Sequence, residues 1–482
     1  MTEASRIRNN SVFSFLSISS RLVANVVVFW IIARVYGPEL FGQFTFAQTL
    51  ATIFILFADF GFDILLTNEI ARDRDKAKAL FQQFFSLKLI FSLVALIGMW
   101  VFALVNEISF QSRILIFIFS FYMLFTVLTN FMFALYKGFE RLEYETKVSM
   151  VINVGLLAIT LVLVLFKSSV TSLAIAFVVT RLLGFIISLK YSYQVLKNIS
   201  FRFFYGDLSK IKWKIFVYGF HLVFSYLFFQ LDTILLALLK GNYEVGIYQA
   251  VFKLILVPLV IPDIFINTLM PVLARMNVQN PEHWKKIGEL MNKLLFIIVL
   301  PTSIILFSFP EQIINFIYGS NKYVEAIPIL RIFSVILFVR FNLETYALML
   351  TTSDRQKIRL YGVLVTTIIN FILNYFMIKK YGILGAAFVS LATNTILGLI
   401  YIYTTRPLFF KWMVNIKIII AILFALCIGY AFMLWSTFSI LFAVPIIFSC
   451  YALFAYFYFF SSEDIKLILS EKIKLFSIKL NV

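Results

Sequence analysis

The chain has 482 residues, of which 62% are apolar, 18% aromatic and only 14% charged. Soluble domains are roughly 45–50% apolar and about 25% charged, so a soluble enzyme or soluble nucleic-acid binder is excluded. The net charge of +18, from 42 basic and 24 acidic residues, takes its meaning from where the charges fall.

The apolar runs lie near 11–35, 41–66, 80–105, 113–136, 148–166 and 172–196. A basic stretch at 197–214 follows, then runs near 215–239, 246–274, 291–310, 327–352, 358–379, 383–404, 416–435 and 438–460. A spanning helix takes about 20 apolar residues, so these are about 14 candidate spans. Helices are expected, because backbone in hydrocarbon must satisfy its own hydrogen bonds and the runs are continuous rather than alternating. The first run, behind Arg6 and Arg8, is too long and too polar in its middle for a signal peptide and reads as a retained helix. Cys427 and Cys450 fall in late apolar runs and read as small buried hydrophobes, with no metal spacing around them.

Numbering the spans in order, basic residues concentrate in the termini and the loops on their side. The opposite side carries Arg113, Lys167, Lys240, Lys322, Lys379 and Lys380. By the positive-inside rule both termini are cytoplasmic, which agrees with an even number of spans.

An internal repeat is visible. Gly37-Pro38-Glu39-Leu40-Phe41-Gly42 follows the first span, and Gly241-Asn242-Tyr243-Glu244-Val245-Gly246 follows the seventh. The same register aligns Asp59 with Asp263, and Ala174 to Val178 resembles Gly385 to Val389. Spans 1–6 thus repeat as 7–12, in parallel orientation because six is even, with spans 13 and 14 appended. The expected fold class is an all-α membrane protein of two pseudo-symmetric six-helix lobes plus two C-terminal helices. Its parts are an N-terminal lobe at 1–196, a cytoplasmic linker at 197–214, a C-terminal lobe at 215–404, and helices 13–14 with a cytoplasmic tail at 405–482.

These residues carry a family resemblance. The pattern Ala33-Arg34-Val35-Tyr36-Gly37-Pro38-Glu39-Leu40-Phe41-Gly42 is followed by Asp59-Phe60-Gly61-Phe62, Lys137-Gly138-Phe139-Glu140-Arg141, Tyr318-Gly319 and Tyr381-Gly382-Ile383-Leu384-Gly385. In order and spacing the chain resembles the Wzx-like polysaccharide flippases of the multidrug/oligosaccharidyl-lipid/polysaccharide exporter superfamily. The resemblance implies two lobes around a central cavity, alternating access, and an undecaprenyl-pyrophosphate-linked oligosaccharide as substrate. It also implies the bacterial inner membrane, with a glycan polymerase and a chain-length regulator as candidate partners.

A charge at bilayer depth costs at least about 2.5–3.5 kcal/mol and faces the bundle interior or a wet cavity. Ser14, Arg21 and Asn25 share one arc of the first span; His221, Ser225 and Asp232 share one arc of the seventh. Arg21, Arg181, Lys253 and Arg340, with Asn25, are the candidate substrate contacts, because a guanidinium binds phosphate oxygens bidentately. Each has a bland alternative: an interhelical bond for Arg21 and Arg181, snorkelling for Lys253, an intrahelical pair with Glu344 for Arg340. Arg331 lies opposite Arg340 around its helix. Lys88 and Arg34 read as snorkelling or interfacial cations, and Asp59 and Asp263 as acids at helix ends. Asp232, beside His221, and Glu344 are the candidates for proton or sodium coupling. His283 reads as a solvated loop residue. Pro258, Pro262, Pro271 and Pro301, with Gly219 and Gly246, are candidate hinges. No metal or organic cofactor and no nucleic-acid partner is expected.

Competing readings are a peptidoglycan-precursor flippase or multidrug exporter of the same fold, and a glycan polymerase or ligase. A cation exporter should carry an acid-dominated cavity, whereas bases dominate these spans. A polymerase or ligase should carry a large outer loop with catalytic residues; the longest expected here is 311–326, without such a constellation.

Overall fold

The computed structural model describes residues 3–196, 212–319, 321–353, 355–413, 416–434, 439–461 and 463–464, and among these every regular element is helical. Among the described residues ten helices are long and apolar enough to cross a membrane. In chain order the helices are α1 (Glu3–Asp59), α2 (Phe62–Arg72), α3 (Ala77–Val105), α4 (Phe110–Gly138), α5 (Leu142–Leu165), α6 (Val170–Val195) and α7 (Lys212–Leu239). They continue as α8 (Asn242–Gln279), α9 (Pro281–Ser308), α10 (Pro310–Tyr318), α11 (Ala326–Thr352), α12 (Gln356–Met413), α13 (Ile416–Leu434) and α14 (Ile440–Phe454).

Polar residues set the helix starts. Ser109 and Ser169 accept the backbone N–H groups of Ser112 and Ser172 at the starts of α4 and α6. Asn280 accepts from the His283 N–H ahead of α9, which opens on Pro281, where the missing donor costs nothing. His283 is therefore in the first turn of a helix, not in a loop.

At two expected span boundaries the chain turns at a glycine. Gly37 (φ 79°, ψ 176°) is non-helical and divides α1 into two helices at a kink, and Gly382 within α12 also takes positive φ (58°). The second span instead breaks at Phe60 (φ 41°) and Gly61 (φ 86°), and α2 starts at Phe62. The expected outer loop at 311–326 contains α10. α8 continues past Pro258, Pro262 and Pro271, so Asp263 lies well inside a helix and not at its end.

The chain forms two compact units, residues 1–253 with 371–386, and residues 254–370 with 387–482. In the first, α4 packs against α1, α3 and α6. Its core is a knot of edge-on phenylalanines, with Phe44 at 5.1 Å from Phe119 and 5.3 Å from Phe177. In the second, α9 packs on α11 and α13, and the buried Trp284 indole donates to the Thr352 hydroxyl at 3.1 Å. Large apolar side chains such as Leu165, Phe110 and Phe316 stand exposed on the outer surface, as a lipid solvent allows. Cys427 and Cys450 are exposed too, which corrects their reading as buried residues.

After α14 the chain is strapped back. Asp464 accepts Lys293 Nζ of α9 at 2.8 Å and the Ser461 amide and hydroxyl, each at 2.8 Å. Burial works against ionisation of Asp464, but these bonds outweigh it and hold the carboxyl below the ordinary carboxylate range. A depressed folded-state pKa contributes stability above the unfolded value and loses it as pH falls through the folded one. Wild type should therefore melt above Lys293→Met near neutral pH, and the gap should close in acid; a gap that persists below the Asp464 titration would show that the strap is not ionic.

Candidate functional site

The intramembrane charges of the first unit form three sets. On α1, Arg21 is exposed, with Asn25 exposed one turn on. The charge neighbours of Arg21 are Arg181 of α6, Glu145 of α5 and Tyr122 of α4. The Arg181 guanidinium lies 5.4 Å from the Tyr122 ring centroid. Glu145 is taken by Lys137 at 3.2 Å. Among the described residues neither arginine forms an ion pair, so two like charges stand near each other with their hydrogen-bonding capacity open. Lys253 of α8 sits 4.1 Å from the Phe29 ring centroid, a cation–π contact in place of a counter-ion.

The second set is built on Asp232 of α7, which is 2% exposed. It accepts the Tyr248 hydroxyl of α8 and the Asn374 amide of α12, the latter at 2.6 Å. Gln249, one residue along α8, donates to Gln230 and Thr233. A tyrosine of α8 and an asparagine of α12 thus both donate to this buried carboxylate. The His221 side chain, expected beside it, lies outside the described residues, as do those of Ser14 and Ser225.

The third set joins the break between α1 and α2. Lys88 of α3 is 0% exposed and donates to Asp59 at 2.6 Å and to Asp63. The Asp63 N–H donates to Asp59 Oδ1 at 3.2 Å, and the ammonium lies 5.3 Å from the Phe131 ring. Lys88 therefore does not snorkel. It is the buried counter-ion of two carboxylates, and Asp59 is half of a clamp across a left-handed break.

In the second unit, the charge neighbours of Arg340 on α11 are Glu344, one turn on, and Asp263 of α8. The expected intrahelical pair is thus part of a three-membered group. Arg331 is exposed. An apolar cavity of about 550 Å³ opens among α9, α11 and α13, lined by Leu300, Phe307, Phe338, Ile422 and Leu426. Among the described residues no group of three or more His, Cys, Asp or Glu side chains could hold a metal ion.

Tyr122, Tyr248, Asn374 and Asp63 were not singled out by sequence. The readable signal was polarity out of place, since Gln230, Gln249 and Asn374 interrupt apolar runs just as the charges do.

The model of the family described as polysaccharide biosynthesis protein matches residues 7–277, and the MatE model matches residues 218–376. A relative from Escherichia coli (strain K12), provisionally named an O-antigen transporter, is 23% identical over 167 residues, 34% of this chain and 40% of its own length. The chain thus spans less than half of that curated relative. Among solved structures, the lipid II flippase MurJ in an inward closed conformation superposes with a TM-score of 0.73 at 15% identity, covering 93% of this chain and 98% of MurJ. An inward-facing multidrug resistance MATE family transporter gives 0.66 at 14% identity, covering 81% and 97%. These two likenesses concern the fold. With more than half of its length matched by the family model, the chain belongs to the polysaccharide biosynthesis protein family.

Proposed function

We propose that the chain flips undecaprenyl-pyrophosphate-linked O-antigen or polysaccharide repeat units across the bacterial cytoplasmic membrane by alternating access, with both termini in the cytoplasm. The observation that carries this reading is the open cation pair Arg21 and Arg181. Unpaired cations are costly at bilayer depth, and a pyrophosphate supplies the charge and the bidentate oxygens they lack. Lys253 adds a third cation with no ion pair among the described residues, and Asn25 a neutral donor on the Arg21 face. Arg340, already between two acids, is a weaker contact. The apolar cavity among α9, α11 and α13 suits a prenyl chain, which brings no polar groups of its own. Asp232 is the coupling carboxylate of this reading, a buried acid that accepts from Tyr248 and Asn374, with His221 and Glu344 as the further titrating groups. The repeats, lobes at 1–196 and 215–404 joined by 197–214 and followed by 405–482, supply the two halves that rock. A glycan polymerase and a chain-length regulator are the expected protein partners.

A multidrug exporter remains the second reading, because the MatE match and the MATE likeness fit it as well. A peptidoglycan-precursor flippase would use the same pyrophosphate contacts. Deleting the chain decides. Lipid-linked repeat units trapped on the cytoplasmic leaflet, with surface glycan lost, are expected. Normal surface glycan with raised drug sensitivity would replace the proposal by the second reading.

A further inference from the structure

The start of α12 carries its charges against the local field. Arg355 immediately precedes the helix, Lys357 and Arg359 lie in its first turn, and that turn holds no acid. Cations are disfavoured at the positive end of a helix dipole, and neighbouring ones also repel each other. Both arginines are nonetheless held in place. Arg355 Nη1 donates to the Thr404 carbonyl, near the other end of α12, at 3.3 Å. Arg359 Nη1 donates to the Thr351 hydroxyl at the end of α11 at 3.2 Å. The Arg359 carbonyl accepts the hydroxyl of the buried Tyr401 at 3.4 Å.

Both guanidiniums thus sit where the end of α11 meets the two ends of α12, each fixed by one neutral acceptor that leaves most of its donors open. Among the described residues neither forms an ion pair, and nor does Lys357. Asp354, the acid next in the chain, lies outside them. The bases of α9, whose Trp284 donates to Thr352 beside this point, are arranged differently. Lys285 pairs with Glu282 at 3.0 Å and Lys286 with Glu463 at 3.8 Å. Positive charge that only fixes orientation acts through number and needs no such docking of guanidiniums. Tyr361 and Tyr403, close along the chain to Arg359 and Thr404, stand exposed. Exposed tyrosines beside basic residues fit the headgroup level of a membrane.

We propose that Arg355 and Arg359, with Lys357, bind the phosphate of an anionic membrane phospholipid. The phosphate brings the bidentate oxygens that suit the open edges of the two guanidiniums. A basic pocket between helix ends at headgroup level is suited to such a lipid. A soluble phosphate matches the charge but offers no apolar body to the two tyrosines. Bound there, the lipid offsets the repulsion at the start of α12 and ties it to α11 and to the far end of α12. The site belongs to the second unit, whereas Arg21, Arg181 and Lys253 belong to the first. The orientation with both termini inside names the leaflet as cytoplasmic; the binding itself requires neither that orientation nor any particular exported solute.

Titrating the full chain in detergent with dioctanoyl phosphatidylglycerol, and following thermal unfolding, tests it. Detergent exposes every face of the protein, so failure of the orientation or of the glycan reading leaves the test intact. The lipid should raise the melting temperature of wild type, and dioctanoyl phosphatidylcholine should do so much less. Half-maximal stabilisation of Arg355→Gln/Arg359→Gln should need roughly tenfold or more phosphatidylglycerol, as expected on losing charge-assisted contacts to phosphate. Each single variant should lose part of the response, which keeps the test open if the double variant folds poorly. Lys285→Gln/Lys286→Gln removes the same charge from paired side chains and should respond as wild type. A wild-type response from the glutamine variants of Arg355 and Arg359 would overturn the site. An equal loss in the Lys285 and Lys286 variant would overturn it too, by showing diffuse attraction. Equal stabilisation by inorganic phosphate at the same concentration would replace the lipid by a soluble anion.

Discussion

Lys88→Met should lower stability by about 3–5 kcal/mol, the cost of leaving a buried charge without its partner. Net stabilities are only about 5–15 kcal/mol, so most of the protein should be lost from the membrane. The ammonium is fully buried and serves two carboxylates at once, one on each side of the break at Phe60 and Gly61. Without it, Asp59 and Asp63 face each other as like charges with the Asp63 N–H as the remaining donor between them. The break is also where Gly219 of α7 rests on the Phe60 ring, at a distance that leaves no room for a Cβ, so relaxing it disturbs a second helix contact. Membrane abundance and thermal unfolding in detergent measure the effect. Adding Asp59→Asn and Asp63→Asn to Lys88→Met removes the stranded charges and should restore much of the loss, since a buried ion group replaced as a whole is often near neutral. Normal abundance and melting of Lys88→Met alone would show that the triad holds nothing together.

The same residue shows what sequence could and could not supply. Span positions, helical class and the glycine repeat were legible because each is written locally, in continuous apolar runs or a fixed spacing. That Lys88 is a buried counter-ion was not, because its partner Asp59 is 29 residues away and their meeting depends on how α3 crosses the end of α1. Asp232 was legible as an unusual acid, but its partners Tyr248 and Asn374 come from two other helices, the second 142 residues away. The turns at the span boundaries within α1 and α12 have a backbone cause: Gly37 and Gly382 take positive φ, which glycine adopts readily. Arg331 and Arg340 were legible as opposites from the helical period, yet the approach of Asp263 to Arg340 was hidden by placing that acid at a helix end.

Arg21→Ala carries the opposite expectation, because the same loss of one cation meets a different surrounding. Arg21 is exposed, forms no ion pair among the described residues, and has a like charge, Arg181, as a neighbour. Removing it strands no acid and relieves a repulsion, so membrane abundance and melting should stay at wild-type levels or rise slightly. Export should fall by roughly ten- to a hundred-fold, the loss of one charge-assisted contact of about 1.5–3 kcal/mol to phosphate. Arg21→Lys should recover part of the loss, since it keeps the charge but not the planar fork. If both arginines grip one pyrophosphate, Arg21→Ala with Arg181→Ala should cost less than the two single losses combined, because the second removal acts on a contact already weakened. Surface glycan, normalised to protein in the membrane, is the measurement. Wild-type export by Arg21→Ala would remove this side chain from the substrate path, and a fall in abundance matching the fall in export would make it structural, as Lys88 is.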